Sequence, residues 1–273
     1  MKNLIKFDNS NHWYSRQGEP MHDADLRVAR KLGLYGSVTT IDKDTFPNHF
    51  LQKWKMEQLV KACIETPRMP HEDEEQYAQR VYDISNTKSR VASDFGKKVH
   101  DALDNYPAPP PADVEHWYNQ FATFHQANVS EKISSERVLL DHDIGVAGRC
   151  DFVGVMRGDG GGKVVDDYKT QDVKTDKKGR KTPNYYDSWA RQLAFYAVAY
   201  AKEVGEFPAI PRCRSVVIDS NPGGEIYVKL WDHKEIVAAY EEFVAGTWLW
   251  CRKRNYWPNG SPWRIESIPE ITL

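Results

Sequence analysis

The sequence predicts an α/β protein in which one αβββαββα unit follows a mostly helical N-terminal segment. Three observations carry that expectation. Short β-branched runs, ERVLLD at Glu136–Asp141, GVAGRCDFVGVM at Gly145–Met156 and KVVDDYKT at Lys163–Thr170, stand close together, and the last two flank the turn GDGGG. Glycines in that turn are free to take positive φ. Next, SWARQLAFYAVAYAKEVG at Ser188–Gly205 has the length and apolar spacing of a helix with a glycine stop. Finally, CRSVVIDS and EIYVKLW flank a PGG turn, which predicts a hairpin, and DHKEIVAAYEEFVAGTWLWCRKRN predicts a closing helix.

The elements ahead of this unit follow from the same rules. Residues 1–36 read as irregular apart from a short helix at Asp23–Leu32, and SVTTI at Ser37–Ile41 reads as a short strand or turn. Phe50, Leu51, Trp54, Val60 and Cys63 give His49–Glu65 a helical period. A proline-containing break follows, then helical stretches at 74–85 and 86–106. The second spaces Val91, Phe95, Val99 and Leu103 by four, with His100 beside that face. PAPPPAD at Pro107–Asp113 interrupts any helix, and Asp113 is placed to cap a helix over 114–129. The polar stretch QDVKTDKKGRKTPN is expected to be a mobile loop. The tail from Tyr256 shows little periodicity.

Composition narrows the function. The 273 residues include 37 basic and 39 acidic side chains, a net charge of -2, which excludes a simple polybasic nucleic-acid binder but not a local basic groove. The four cysteines, at 63, 150, 213 and 251, form no CxxC pair, so neither a zinc ribbon nor a clustered iron–sulfur site is signalled. They read as reduced, mostly buried thiols of a cytoplasmic protein. No window has the length of a membrane span and the N-terminus has no signal-peptide core.

The chemistry concentrates in VVDDYKT. Side chains two apart on a strand share a face, so Asp167 and Lys169 point together while Asp166 and Tyr168 point away. A carboxylate beside an ammonium suits metal-dependent phosphodiester hydrolysis. The acid holds a cation, and the lysine orients or deprotonates water or offsets transition-state charge. Asp151, 16 residues earlier on the neighbouring strand, supplies a second acid. Oxygen ligands of this kind suit Mg2+ or Mn2+. A bare D-x-K is common in surface ion pairs, a lone helical histidine such as His100 is more often structural, and Asp166 rivals Asp167.

Gly148 to Asp151, then Asp167-Tyr168-Lys169-Thr170, then Gln192 to Tyr196 on a helix together resemble the PD-(D/E)XK nuclease superfamily, in its RecB-like exonuclease branch. Gly96 to His100 resembles that branch's G-x-x-x-H, and SVTTI followed by Leu51 and Trp54 resembles phage and mitochondrial-type members. The resemblance spans about residues 35 to 200. It implies a restriction-endonuclease-like core, a central mixed sheet flanked by helices, over 91–273, behind an N-terminal helical extension over 1–90. It implies Asp151, Asp167, the Tyr168 backbone carbonyl and His100 as metal ligands, with Glu136 as a further acid. Lys169 would be the catalytic lysine, oriented by Gln192 and Tyr196. Metal-activated water would attack phosphorus directly, leaving a 5′-phosphate and a 3′-hydroxyl. The sequence departs from the family in the extra acid Asp166 and in lacking iron–sulfur cysteines, so no such cluster is expected.

The segment 163–184 carries seven basic and four acidic side chains, a net of +3. Lys174, Lys177, Lys178, Arg180 and Lys181 are therefore candidate phosphate contacts, and Trp54 a candidate base contact, with a merely solvated loop as the bland alternative. The expected function is a metal-dependent DNA exonuclease of replication, recombination or repair, phage-encoded and acting in the host cytoplasm. Its expected partners are DNA ends or single strands and, as a candidate, a recombination or single-strand-binding protein, with no membrane. Its rivals are a structure-selective or single-strand endonuclease with the same site and a catalytically silent binding module. Polarity, strand preference, processivity, metal count, action on RNA and oligomeric state stay open at this level.

Overall fold

A computed structural model describes residues 12–158, 161–260, 262–263 and 271. The described residues divide into two compact units, one of residues 47–98 and one of residues 12–46 with the chain from Val99 onward.

The smaller unit is helical. Helices α3 (His49–Glu65) and α4 (Glu74–Ser85) are joined by a turn held by Arg80 and Glu72 at 2.6 Å and by the Tyr77 hydroxyl donating to the Thr66 carbonyl at 3.0 Å. Asp73 caps α4 in a reciprocal capping box with Gln76. The period expected over 49–65 is present as a helix. Its apolar residues spread around the axis, however, and Phe50 and Ile64 are 86% and 78% exposed. Trp54 is half-buried on this helix. Helix α5 (Thr87–Asp104) begins in this unit and ends in the larger one.

The larger unit is built on a mixed sheet, seven-stranded among the described residues. Its strands are β1 (Trp13–Tyr14), β2 (Tyr35–Ser37), β3 (Val129–Asp141), β4 (Val146–Met156), β5 (Lys163–Gln171), β6 (Arg212–Asp219) and β7 (Ile226–Leu230). They run in the order β1-β2-β4-β5-β6-β7, with β3 antiparallel along β4. Parallel pairs β2/β4 and β5/β6 alternate with the antiparallel pairs β1/β2, β4/β5 and β6/β7. Helix α6 (Glu115–Asn128) covers one face. Its Phe121 and Phe124 meet Tyr168 and Arg214 respectively, and its His125 meets Phe152. Helices α7 (Asp187–Glu203) and α8 (His233–Arg254) cover the other. α7 is buried without interruption from Leu193 through Ala201, and its many alanines let it lie close between sheet and α8. From α6 onward the order is the αβββαββα expected.

Ahead of the unit, α1 (Leu26–Leu32) is capped by Asp25, and α2 (Val38–Thr45) is capped by Ser37. SVTTI is thus a strand end turning directly into a helix, because the Ser37 side chain accepts from the Thr40 amide. Arg191 of α7 holds α2 through Asp42 at 2.5 Å while reaching Glu242 of α8 at 3.1 Å.

Three local expectations change. Strand β3 starts at Val129, seven residues earlier than ERVLLD, since the polar VSEKISS pairs on one side only and needs no apolar alternation. α6 starts after a short 3-10 turn at Ala112–Val114, with no side chain capping it at Val114. The stretch after β5 is a hairpin rather than a loose loop: Thr175 bridges Lys181, and Asp176 accepts from the Lys178 and Arg180 amides at 2.8 and 2.9 Å. Cys150, Cys213 and Cys251 are buried as expected, but Cys63 is exposed. Among the described residues no helix is long and apolar enough to cross a membrane.

Asp166 is fully buried and forms two hydrogen bonds with Arg214, at 2.8 and 2.7 Å. Removing one member strands the other's charge, so Asp166→Ala should cost about 3–5 kcal/mol in urea unfolding. Asp167→Asn should cost less in EDTA, because its partner Lys169 keeps Gln192 and some access to solvent, whereas Arg214 is buried. Equal losses for the two variants would contradict this division of labour.

Candidate metal-dependent active site

The β4/β5 ladder ends at the pair Phe152 and Asp166, and beyond it the two strands part. The parting leaves the Tyr168 amide without a ladder partner. It donates instead to the Asp151 carboxylate at 2.6 Å. Asp151 therefore stands in the gap as a structural consequence of the splay. The same β5 strand presents Asp167 and Lys169 on one face, as period two requires. The Lys169 ammonium lies 2.8 and 2.7 Å from the two Asp167 carboxylate oxygens and donates to Gln192 Oε1 of α7 at 3.2 Å. Gln192 Nε2 in turn donates to the Tyr196 hydroxyl at 2.9 Å. One turn of α7 thus fixes the lysine from above. Gly148 permits this packing: a Cβ there would lie 2.7 Å from Val38 and 2.8 Å from Tyr196.

From the other side come His100 of α5 and Glu136 of β3. Glu136 sits in register opposite Asp151, between the pairs Ser135/Phe152 and Arg137/Cys150. It holds a left-handed φ of 48°, unusual for a glutamate. Ligand atoms of His100, Glu136 and Asp151 all lie within 4.8 Å of one another. That spread matches donors around one divalent cation, whose bonds to oxygen run at roughly 2.0–2.6 Å. Asp167 lies outside that trio, engaged by Lys169. Its Oδ2 is buried, with the Lys169 ammonium at 2.7 Å. The donor set, carboxylates plus one imidazole, fits a hard divalent ion.

Electrostatics agree with that fit. Burial pushes the His100 imidazole down to about 4, with the Lys169 ammonium adding to the fall, so the ring is neutral and its lone pair free to ligate. Burial pushes Glu136 up to about 7, with Asp151 adding to the rise and Arg149 opposing it. Burial, opposed by Lys169 and reinforced by Asp151, pushes Asp167 up to about 6. Asp151 is raised by burial too, against the pull of Lys169. Burial disfavours the charge on Lys169, but Asp167 and Asp151 outweigh it, so the lysine is raised and stays protonated at neutral pH.

These side chains line cavities on both sides of Asp151. One of about 250 Å3 is walled by His12, His22, Ser37, Arg149, Gln192 and Tyr196. The other, about 10 Å3, lies among His100, Glu136, Phe152, Tyr168 and His125, with room for about one water.

Residues 114–247 match the family model of the PD-(D/E)XK nuclease superfamily. The fold is the restriction-endonuclease-like one, and the matched stretch contains Glu136, Asp151, Asp167, Lys169, Gln192 and Tyr196. His100 precedes it. No curated protein matches the chain. Solved structures similar to the chain include two of low identity. One is described as SSO0001, 16% identical, covering 73% of this chain and 87% of that one, with a TM-score of 0.24. The other is LHK-Exo in complex with dAMP, 14% identical, covering 83% and 96%, with a TM-score of 0.27.

The structure brings Asp151, Asp167, Lys169, Gln192, Tyr196, His100 and Glu136 to one place. It separates Asp166, which faces α6 and Arg214. Lys174, Lys177 and Lys178 are exposed on the hairpin, while Arg180 pairs with Asp176 and Lys181 with Asp219, each at 3.0 Å. Arg149, which pairs with Glu136 at 2.6 Å, escaped the sequence reading. Its place two residues before Asp151 on β4 was the available signal.

Protons compete with a cation for this site. Native values of about 7 for Glu136 and about 6 for Asp167 exceed the ordinary 4.5 and 3.8. Below those native values the folded protein holds protons that the unfolded chain has released, so these two groups make metal-free stability fall as pH rises through the window. His100, lowered from 6.5, acts oppositely between about 4 and 6.5. Cation binding must expel the carboxyl protons. The rise in Tm on adding Mg2+ should therefore be small near about pH 5.5 and grow to a plateau near about pH 8. A pH-independent rise would contradict the ligand set.

Proposed function

We propose that this protein is a divalent-metal-dependent DNA exonuclease of the RecB-like branch, working in DNA replication, recombination or repair and encoded by a phage. The observation that carries the reading is the Lys169 ammonium held between Asp167 and Gln192 beside Asp151 where β4 and β5 part. Asp151, Asp167, His100, the Tyr168 carbonyl and Glu136 would hold Mg2+ or Mn2+. The bound cation would supply Lewis acidity toward a phosphate oxygen and lower the pKa of an attacking water.

The chain's own groups do the rest. Lys169, protonated and oriented by Gln192, offsets the negative charge that develops on the phosphoryl oxygens, the preorganised role that weighs most in such reactions. Tyr196 fixes Gln192 and so the lysine's pose. Arg149 and the histidines of the larger cavity offer positive and hydrogen-bonding groups to the phosphate and sugar of the bound end. The exposed lysines 174, 177 and 178 extend contact along the strand, and Trp54 of the helical unit is a candidate surface for stacking a base.

Digestion of end-labelled oligonucleotides tests the reading. With Mg2+ or Mn2+ the purified protein should shorten linear DNA from an end and leave closed circles intact, while EDTA should stop it. Asp167→Asn and Lys169→Met should each reduce the rate by about 10³-fold or more, and Asp167→Asn should still bind DNA. Circles cut as fast as linear DNA would overturn the exonuclease assignment, and no cutting with either metal would overturn the nuclease.

A further inference from the structure

Asp219, at the end of β6, is fully buried and lies outside the catalytic group. It is the last β6 residue paired with β5, opposite Gln171. Its carboxylate gathers donors from three directions. Oδ1 accepts from the Val173 amide at 3.3 Å and from the Asn221 amide and side chain at 3.1 and 2.6 Å, and Oδ2 pairs with the Lys181 ammonium at 3.0 Å. Asn221 also donates to Asp172 and to the Val173 carbonyl. The Asp219 carbonyl accepts from the Trp117 indole of α6 at 2.8 Å, which keeps the strand end rigid.

Val173 and Lys181 belong to the two arms of the basic hairpin. One buried carboxylate therefore clamps both arms to the sheet. Gln171 and Asn184 close the hairpin's base with two further hydrogen bonds, at 2.8 and 3.1 Å. Above the clamp the turn at Asp176 and Gly179 carries Lys174, Lys177 and Lys178, all exposed and with no ion-pair partner among the described residues. The hairpin leaves β5 at Gln171, four residues after Asp167, which is roughly 13 Å at strand rise. The base of the hairpin is thus held at that distance from Asp167 along the strand.

We propose that Asp219 is a positioning residue of the nucleic-acid site: by clamping Val173 and Lys181 it fixes the hairpin so that Lys174, Lys177 and Lys178 meet the phosphate backbone in register with the catalytic group. This assigns Lys181 to the clamp. The inference rests on the nuclease reading for the nature of the ligand, and its test is a binding measurement that needs no cleavage.

The test follows a fluorescein-labelled single-stranded oligonucleotide by anisotropy in EDTA over a salt series. It compares wild type, Asp219→Asn, the triple variant Lys174→Ala, Lys177→Ala, Lys178→Ala, and the two combined. The triple variant should lower the slope of log K against log salt by about 2, from three phosphate contacts at roughly 0.7 each. Asp219→Asn alone should weaken binding about 10-fold and lower that slope, yet weaken the triple variant by less than about 2-fold. In Mg2+ it should raise KM and leave kcat within about 2-fold. Lys181→Met, which spares the strand end, should reproduce the pattern if Asp219→Asn does not fold. Equal weakening in both backgrounds, or unchanged affinity, would overturn the clamp, as would a wild type that binds no DNA at low salt. Binding without cleavage by wild type would instead remove the nuclease reading and leave the clamp standing.

Discussion

The site depends on the parting of β4 and β5. While the two strands pair, from Val155/Lys163 to Phe152/Asp166, their backbone groups satisfy one another. Where they diverge, a polar gap opens inside the molecule, and buried polar groups must find partners. Asp151 takes the Tyr168 amide, and Asp167 takes Lys169. The gap gathers charge because the sheet opens there, and the sheet stays open because side chains replace the missing ladder bonds. A carboxylate pair pushed up in pKa by burial is costly unless a cation relieves it. Lys169 relieves part of that cost, and a divalent ion would relieve the remainder.

The two adjacent aspartates of β5 show how one strand separates stability from chemistry. Asp166 points to the α6 face, where Arg214 engages both its oxygens and Phe124 stacks on the guanidinium. Asp167 points to the α7 face, where its cationic partner, Lys169, is itself shared with Gln192. The first carboxylate is saturated and structural. The second has both oxygens against that single ammonium, which leaves its remaining lone pairs available to a cation.

Much of this is legible in the sequence because it follows from period two and period 3.6. The sharing of a face by Asp167 and Lys169, the face of Gln192 and Tyr196, the GDGGG and PGG turns and the order of elements all follow from local rules. What escapes depends on contacts far apart in the chain. The left-handed backbone of Glu136 has no marker in ERVLLD, since nothing about a glutamate favours positive φ. The polar start of β3 carries no alternation because only one of its edges is paired. The hairpin after β5 reads as a loose basic excursion because its clamp, Asp219, lies 38 residues beyond Lys181. Asp113 is a plausible cap by composition, yet a 3-10 turn places Val114 at the helix start instead.

If Asp151 and its neighbours hold one divalent cation, the ion should bind without DNA or turnover. Mn2+ titration followed by electron paramagnetic resonance measures this directly. Wild type near pH 8 should remove the free-Mn2+ signal stoichiometrically, a loss that Asp151→Asn abolishes and His100→Ala or Glu136→Gln weakens. Undiminished binding by Asp151→Asn would contradict the site.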